Sequence, residues 1–255
     1  MPTLKATLAE TLASAGFVAA EEEAEELVRA SRNDALTLAA LVARRLTGEP
    51  LAWVTGSAPF VGLDVPVLPG VYVPRWQSSE LALRAAARLP EAGVAADVCT
   101  GSGAIALALS RARPLARIVA TDTDPTAVDN ARANGVEVYQ GDLCAPLPDD
   151  LGGHVDVVVA VVPYVPTDAL PLLPRDTLSF EDVAHYDGGR DGLELLERLA
   201  AEAPAYLRRG GRLLLELGGD QAERLAPLLE RLGYRSLDSW SDGEGDIRGL
   251  EAVLD

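Results

Sequence analysis

The sequence predicts an α/β protein: a mostly parallel, Rossmann-like sheet of seven strands with helices on both faces, behind a small helical domain and a β-hairpin linker. Three observations predict it. Up to residue 46 the apolar residues recur at helical spacing, and from Val94 onward short β-type runs alternate with helical patterns. In one of those alternations a glycine loop, Cys99-Thr-Gly101-Ser-Gly103, joins an apolar strand to the apolar run Ala104-Ile-Ala-Leu-Ala-Leu109.

Residues 4–12, 20–31 and 34–46 carry the helical periodicity, and the acidic run from Glu21 to Glu26 reads as a solvated helix face. Two short β runs, 60–65 and 71–73, flank Pro69-Gly70 and read as a hairpin around that turn. Strands are expected near 94–98, 117–121, 136–140, 155–161, 211–217, 235–240 and 249–254. The last two, joined by Ser241-Asp-Gly-Glu-Gly-Asp246, form a closing hairpin. Between the fourth and fifth lies a long irregular stretch, 163–190, rich in Pro, Asp and Gly. Loops of that length in compact domains are usually functional, and ligands bind beyond the carboxyl ends of such strands, so the substrate mouth is expected there.

The glycine loop and the acids around it carry the site. Gly101 and Gly103 leave the backbone bare, so a ligand can sit against the free amides of the following helix. Asp122 ends the second strand of the sheet, where it can accept hydrogen bonds from two ribose hydroxyls. The segment 101–106 also fits the loose dinucleotide pattern G-x-G-x-x-A, which leaves a nicotinamide cofactor open. Asp97 inside the first strand end and Asp142 after the third change the balance. Three acids at three successive strand ends suit a cationic amino-acid group, a ribose and an adenine amino group, which describes S-adenosylmethionine better than a pyrophosphate dinucleotide.

Composition excludes several classes. The formal charge is −17, with 22 Lys and Arg against 39 Asp and Glu, so a surface that grips nucleic acid through phosphates is not expected. No apolar run reaches the roughly eighteen residues of a membrane span, and the first residues lack the apolar core of a signal peptide, which makes the cytoplasm the expected location. Cys99 and Cys144 are the two cysteines and His154 and His185 the two histidines, without metal-ligand spacing; no metal is expected. Cys99 is read as a small residue beside the ligand in preference to a reactive thiol, His185 as a solvent-exposed loop histidine in preference to a general base near the mouth, and Asp187 and Asp191 as turn and cap residues. Arg75 is open between a ligand contact and an interdomain ion pair.

Four segments together resemble a known family, the protein glutamine amide methyltransferases of the HemK/PrmC type, which modify the Gly-Gly-Gln loop of peptide-chain release factors. They are Gly48-Glu-Pro-Leu-Ala-Trp53-Val-Thr-Gly56, Pro69-Gly-Val-Tyr-Val-Pro74-Arg75, the glycine loop, and Asp187-Gly-Gly-Arg-Asp-Gly-Leu193. The resemblance implies a helical substrate-recognition domain over 1–56, a β-hairpin linker over 57–76 and a class I methyltransferase domain over 77–255. It also implies S-adenosylmethionine held by Asp97, Cys99, Thr100, Gly101, Ser102, Gly103, Asp122, Asp142 and Leu143. The family's catalytic loop reads Asn-Pro-Pro-Tyr, and here the aligned residues are Val161-Val162-Pro163-Tyr164, so the implied catalytic positions are Val161, Pro163 and Tyr164. In the family the asparagine side chain accepts hydrogen bonds from the substrate amide; Val161 offers no such acceptor. The expected activity is methyl transfer from S-adenosylmethionine to a protein glutamine amide, with a release factor as partner. A small-molecule or peptide acceptor, or a non-catalytic S-adenosylmethionine-binding module, are the alternatives.

Overall fold

The computed structural model describes residues 4–173 and 175–255. Four helices come first, α1 (Leu4–Ser14), α2 (Ala20–Ala30), α3 (Ala35–Arg45) and α4 (Leu51–Thr55). Asp34 caps α3, its carboxylate accepting from Thr37 N at 2.7 Å. Leu8, Leu12, Leu27, Leu38 and Val54 bury themselves together as a core of their own. The acidic run is only partly a solvated face. Glu21, Glu22 and Glu25 are exposed, but Glu23 accepts from the buried Arg45 at 2.6 Å, and the Arg45 guanidinium lies 4.0 Å over the Phe17 ring. A buried guanidinium needs such a partner, which a helical pattern alone does not reveal.

The hairpin is β1 (Ser57–Phe60) with β2 (Leu63–Pro66), paired antiparallel around Val61-Gly62. This corrects the expected turn at Pro69-Gly70. Val61 and Gly62 both have positive φ, 46° and 70°, the two-residue turn whose twist matches antiparallel strands, and a β-branched residue there carries no sequence signal. Val71 to Val73 form no strand; Val71 is buried and its carbonyl accepts from Trp53 Nε1 at 2.9 Å.

From here strands and helices alternate: α5 (Ser79–Arg88), β3 (Val94–Val98), α6 (Ala104–Ala112), β4 (Arg117–Asp122), α7 (Pro125–Ala133), β5 (Glu137–Gln140) and β6 (Val155–Ala160). They continue with α8 (Arg175–Phe180), α9 (Glu194–Glu202), β7 (Leu207–Glu216), α10 (Gln221–Arg231), β8 (Tyr234–Ser241) and β9 (Ile247–Leu254). The sheet order is β5-β4-β3-β6-β7-β9-β8, with β3 to β7 parallel and β9 antiparallel to both neighbours. All seven strands of the sheet coincide with expected runs; β7 begins four residues earlier than read. The stretch 163–190 is less irregular than expected, since α8 and two short helical turns lie within it. Residue 174, inside that stretch, lies outside the described residues.

Alternation along the strands builds two cores. Ala95, Val157, Val159 and Leu214 face α5 and α6, whereas Ala96, Val98, Val158, Ala160 and Leu215 face α9 and α10. The segment after β2 is tied to the sheet by two asparagines of the α7 region. Asn130 accepts from Leu68 N at 2.7 Å and donates to Pro66 O at 3.0 Å; Asn134 donates to Pro66 O at 2.9 Å and to Ser102 O at 2.8 Å. Asn130 is buried, and its removal leaves the Leu68 amide without its partner and Pro66 O with Asn134 alone. Asn130→Ala is expected to lower stability by about 2 kcal/mol, a fall in Tm of roughly 4–8 °C. An unchanged thermal melt would show that the asparagine does not hold this segment.

Candidate active site

Three of the parallel strands, β3, β4 and β7, carry an acid at the carboxyl end, and a cavity of about 1020 Å³ opens over those ends. β3 ends beside Asp97, which is 1% exposed; its Oδ2 accepts from Thr100 Oγ1 at 2.6 Å and from Ala106 N, in the first turn of α6, at 3.0 Å. Burial pushes the Asp97 carboxyl up to about 7, against the pull of those two donors. Asp122 closes β4. Its Oδ2 accepts from Gly101 N at 2.8 Å and its Oδ1 from Asp124 N at 3.0 Å, and burial again raises it. A carboxylate has about four lone-pair sites, so two remain on Asp122 for a pair of hydroxyls.

The loop between β3 and α6 departs from expectation in two ways. Cys99 adopts φ +60°, the left-handed region that costs an ordinary residue about 1–2 kcal/mol. Burial, and then the carboxylates of Asp122, Asp97 and Asp142, push its thiol well above the ordinary value, so it stays protonated. Gly103 does not line the cavity. A Cβ there would stand 2.8 Å from Val136 Cγ2, so its bareness serves the packing of α6 on the next crossover rather than a ligand.

Asp97, Cys99, Thr100, Gly101, Ser102 and Asp122 line the cavity together with Val161, Pro163 and Tyr164. Asp142 and Leu143 do not. The Asp142 carboxylate accepts from Arg198 at 2.5 Å, and buried Leu143 gives its carbonyl to Thr121 Oγ1 at 2.8 Å. Arg75 resolves to an ion pair: it reaches the buried Glu181 and, at 2.7 Å, the Tyr186 hydroxyl, and its guanidinium lies 5.3 Å from the Tyr72 ring. His185 is half-buried on the cavity wall, edge-on to Tyr72, which corrects its reading as a solvent-exposed residue. The fold of 163–190 over the strand ends turns it inward, and periodicity cannot show that.

Two residues of the site escaped sequence reasoning. Glu216, the last residue of β7, is 4% exposed on the cavity wall; its Oε1 accepts from the Tyr164 hydroxyl at 3.0 Å. Gln221, at the start of α10, donates to Tyr164 O at 2.8 Å and Gly192 O at 3.1 Å, and accepts from Gly218 N at 2.9 Å. The advance signal was an acid and an amide flanking a Gly-Gly pair after an apolar strand. Asp187 accepts from Gly189 N and Thr167 Oγ1, and Asp191 from Leu193 N, so both hold the turn as read.

Residues 95–175 match the family model described as a methyltransferase domain. A solved methyltransferase from Pyrococcus furiosus superposes with a TM-score of 0.56 over 83% of this chain and 96% of that one, at 22% identity, a likeness of fold. With a seven-stranded sheet of this order, the chain is a class I S-adenosylmethionine-dependent methyltransferase. Release factor glutamine methyltransferases of Geobacter sulfurreducens and Moorella thermoacetica are 36% and 43% identical to it. The matches cover 80% of this chain in both cases, and 73% and 75% of those proteins. The chain belongs to the release factor glutamine methyltransferase family.

The segment after β6 is braced from behind. A Cβ on Gly192 would stand 2.2 Å from Tyr164 O and 2.4 Å from Gln221 Nε2, at φ +74°. Gly192→Ala is expected to displace the Tyr164 carbonyl and break its bond to Gln221, lowering stability by about 1–3 kcal/mol and methyl transfer by at least tenfold. Thermal melts and initial rates check this; wild-type values for both would show that the brace is dispensable.

Proposed function

We propose that this protein transfers the methyl group of S-adenosylmethionine to the side-chain amide nitrogen of a protein glutamine, and that a peptide-chain release factor carries that glutamine. The observation that carries the reading is one continuous cavity joining the acid-ringed glycine loop of β3 to the Val161–Tyr164 segment of β6, in a chain of this family. S-adenosylmethionine, when bound, supplies an electrophilic sulfonium methyl. Its charges and hydroxyls fit the groups present: Asp97 takes the cationic amino group and Asp122 the ribose hydroxyls.

An amide nitrogen is a poor nucleophile because its lone pair is delocalised, so alignment and charge placement supply most of the rate. Pro163 and Tyr164 set the wall against which the acceptor lies. Val161 supports a second reading. It presents no hydrogen-bond acceptor, and a site lacking the group that pairs with a substrate N–H loses much of its discrimination, which favours a different peptide or small-molecule acceptor.

Intact-mass analysis of a purified release factor incubated with the protein and S-adenosylmethionine separates the two. The expected result is one methyl group on the Gly-Gly-Gln glutamine, and more of it with Val161→Asn. Tight donor binding without that gain, in wild type and variant alike, would move the assignment to the second reading.

The donor half has its own test. A cation favours the ionised form of Asp97, whose carboxyl sits at about 7 in the free protein because of burial. Affinity for S-adenosylmethionine is therefore expected to rise by roughly tenfold from pH 6 to pH 8, with a proton released on binding. Calorimetry in two buffers reads both effects, and Asp97→Asn should abolish them; a pH-independent affinity in the wild type would remove Asp97 from the donor site.

A further inference from the structure

Among the described residues, Glu216 Oε2 is a buried side-chain oxygen with no hydrogen-bond partner. Such an atom is rare, because an unpaired buried acceptor costs about 1–3 kcal/mol, and more when it is charged. The group stands at a telling place. Ala160 of β6 pairs with Leu215 of β7 in parallel register, so the next residues, Val161 just past β6 and Glu216 at the end of β7, leave neighbouring strands side by side. Val161 packs with Val159 and Leu214 on the α5 and α6 side, and alternation along β7 puts Glu216 on the side of Leu214. Both residues line the cavity, and Tyr164 holds the other carboxylate oxygen in place.

We infer that Glu216 is a catalytic residue of the methyl transfer: its Oε2 receives an N–H of the acceptor nitrogen and takes that proton as the nitrogen is methylated. This rests on the proposed reading of the site as one that methylates nitrogen. The balance is simple. The nitrogen lone pair forms the new N–C bond, the electron pair of the breaking C–S bond returns to the sulfur as a neutral thioether, and the proton shed by the cationic nitrogen converts the Glu216 carboxylate to the acid. An N-protonated amide is far too acidic to persist, so a proton acceptor within reach removes a late barrier. The carboxylate also supplies the acceptor that Val161 lacks, from the adjacent strand end.

The charged and titratable groups facing Glu216 are the hydroxyls of Tyr164 and Tyr72 and the Arg248 guanidinium, with the Ser78 hydroxyl beside them. Burial pushes Tyr72 up to about 12 and raises Tyr164, first by desolvation and then by Glu216 itself, so neither titrates near neutrality. Burial also raises Glu216 above the ordinary carboxylate range. The rate is therefore expected to fall toward acid as Glu216 protonates, at a pH higher than an ordinary glutamate would give.

Glu216→Gln and Glu216→Asp, compared with wild type on a Gly-Gly-Gln peptide, test the inference. Glu216→Gln should lower kcat by at least 100-fold. It should keep the wild-type melt and leave S-adenosylmethionine affinity within twofold, while Glu216→Asp should recover at least tenfold of the loss. A second reading needs no turnover. Binding of the peptide to the S-adenosylhomocysteine complex should release a proton in wild type, seen by calorimetry in two buffers, and none in Glu216→Gln. If wild type turns the peptide over and Glu216→Gln matches its kcat and its proton release, the role of Glu216 is overturned while the acceptor reading stands. If wild type neither methylates nor binds the peptide, the acceptor reading falls, and the role of Glu216 in that reaction falls with it.

Discussion

The site depends on the reversal of strand order between β3 and β6. From β3 the chain winds outward through β4 to β5, then returns to lay β6 against the other edge of β3. The loops leaving the carboxyl ends of β3 and β6 therefore part in opposite directions, and the crevice between them cannot be closed by either. The glycine loop forms one wall and the Val161–Tyr164 segment the other. Bringing the glycine loop and the Val161–Tyr164 segment to adjacent strand ends is thus a consequence of winding direction, before any side chain is considered.

Three acids of the crevice, Asp97, Asp122 and Glu216, are held by neutral donors rather than by ion pairs. Asp97 is held by a hydroxyl and a helix amide, Asp122 by two backbone amides, and Glu216 by a tyrosine hydroxyl. Burial raises all three, because neutral donors compensate only part of the lost hydration. The two arginines on the cavity wall are committed elsewhere, Arg75 to Glu181 and Tyr186 and Arg248 to Asp242. What remains is an acid-lined pocket without a free cation among its described lining residues, which is the basis of the reading proposed for it.

The wall formed by Pro163 and Tyr164 is braced from behind. Gly188 and Gly192 bring the Asp187–Leu193 turn against the backbone of Pro163 and Tyr164, where side chains at either glycine would collide, and Gln221 ties the carbonyls of Tyr164 and Gly192 together. A family signature that reads as a turn is, in three dimensions, the brace of the Val161–Tyr164 segment. The helical segment before the sheet and the hairpin contribute differently: Asn130 and Asn134 clip the chain after β2 to the α7 region, beside the glycine loop.

The seven strands, their alternation with helices, the glycine loop and the acids Asp97 and Asp122 were legible in the sequence, because each is a local pattern: periodicity, a breaker, a charge at a strand end. Family membership was legible too, since four short segments carry it. Contacts between distant segments were not. The turn at Val61-Gly62 rests on a positive φ at a valine, the pairing of Glu23 with Arg45 joins two helices, and Gly103 is bare for the sake of Val136. Asp142 looked like a third ligand by position and instead meets Arg198. Glu216 and Val161 lie 55 residues apart in the chain, and only the parallel register of β6 with β7 makes them neighbours. Local chemistry determined which elements form; the tertiary structure alone decided which ends meet, because sheet order is set by burial of both faces at once rather than by any one segment.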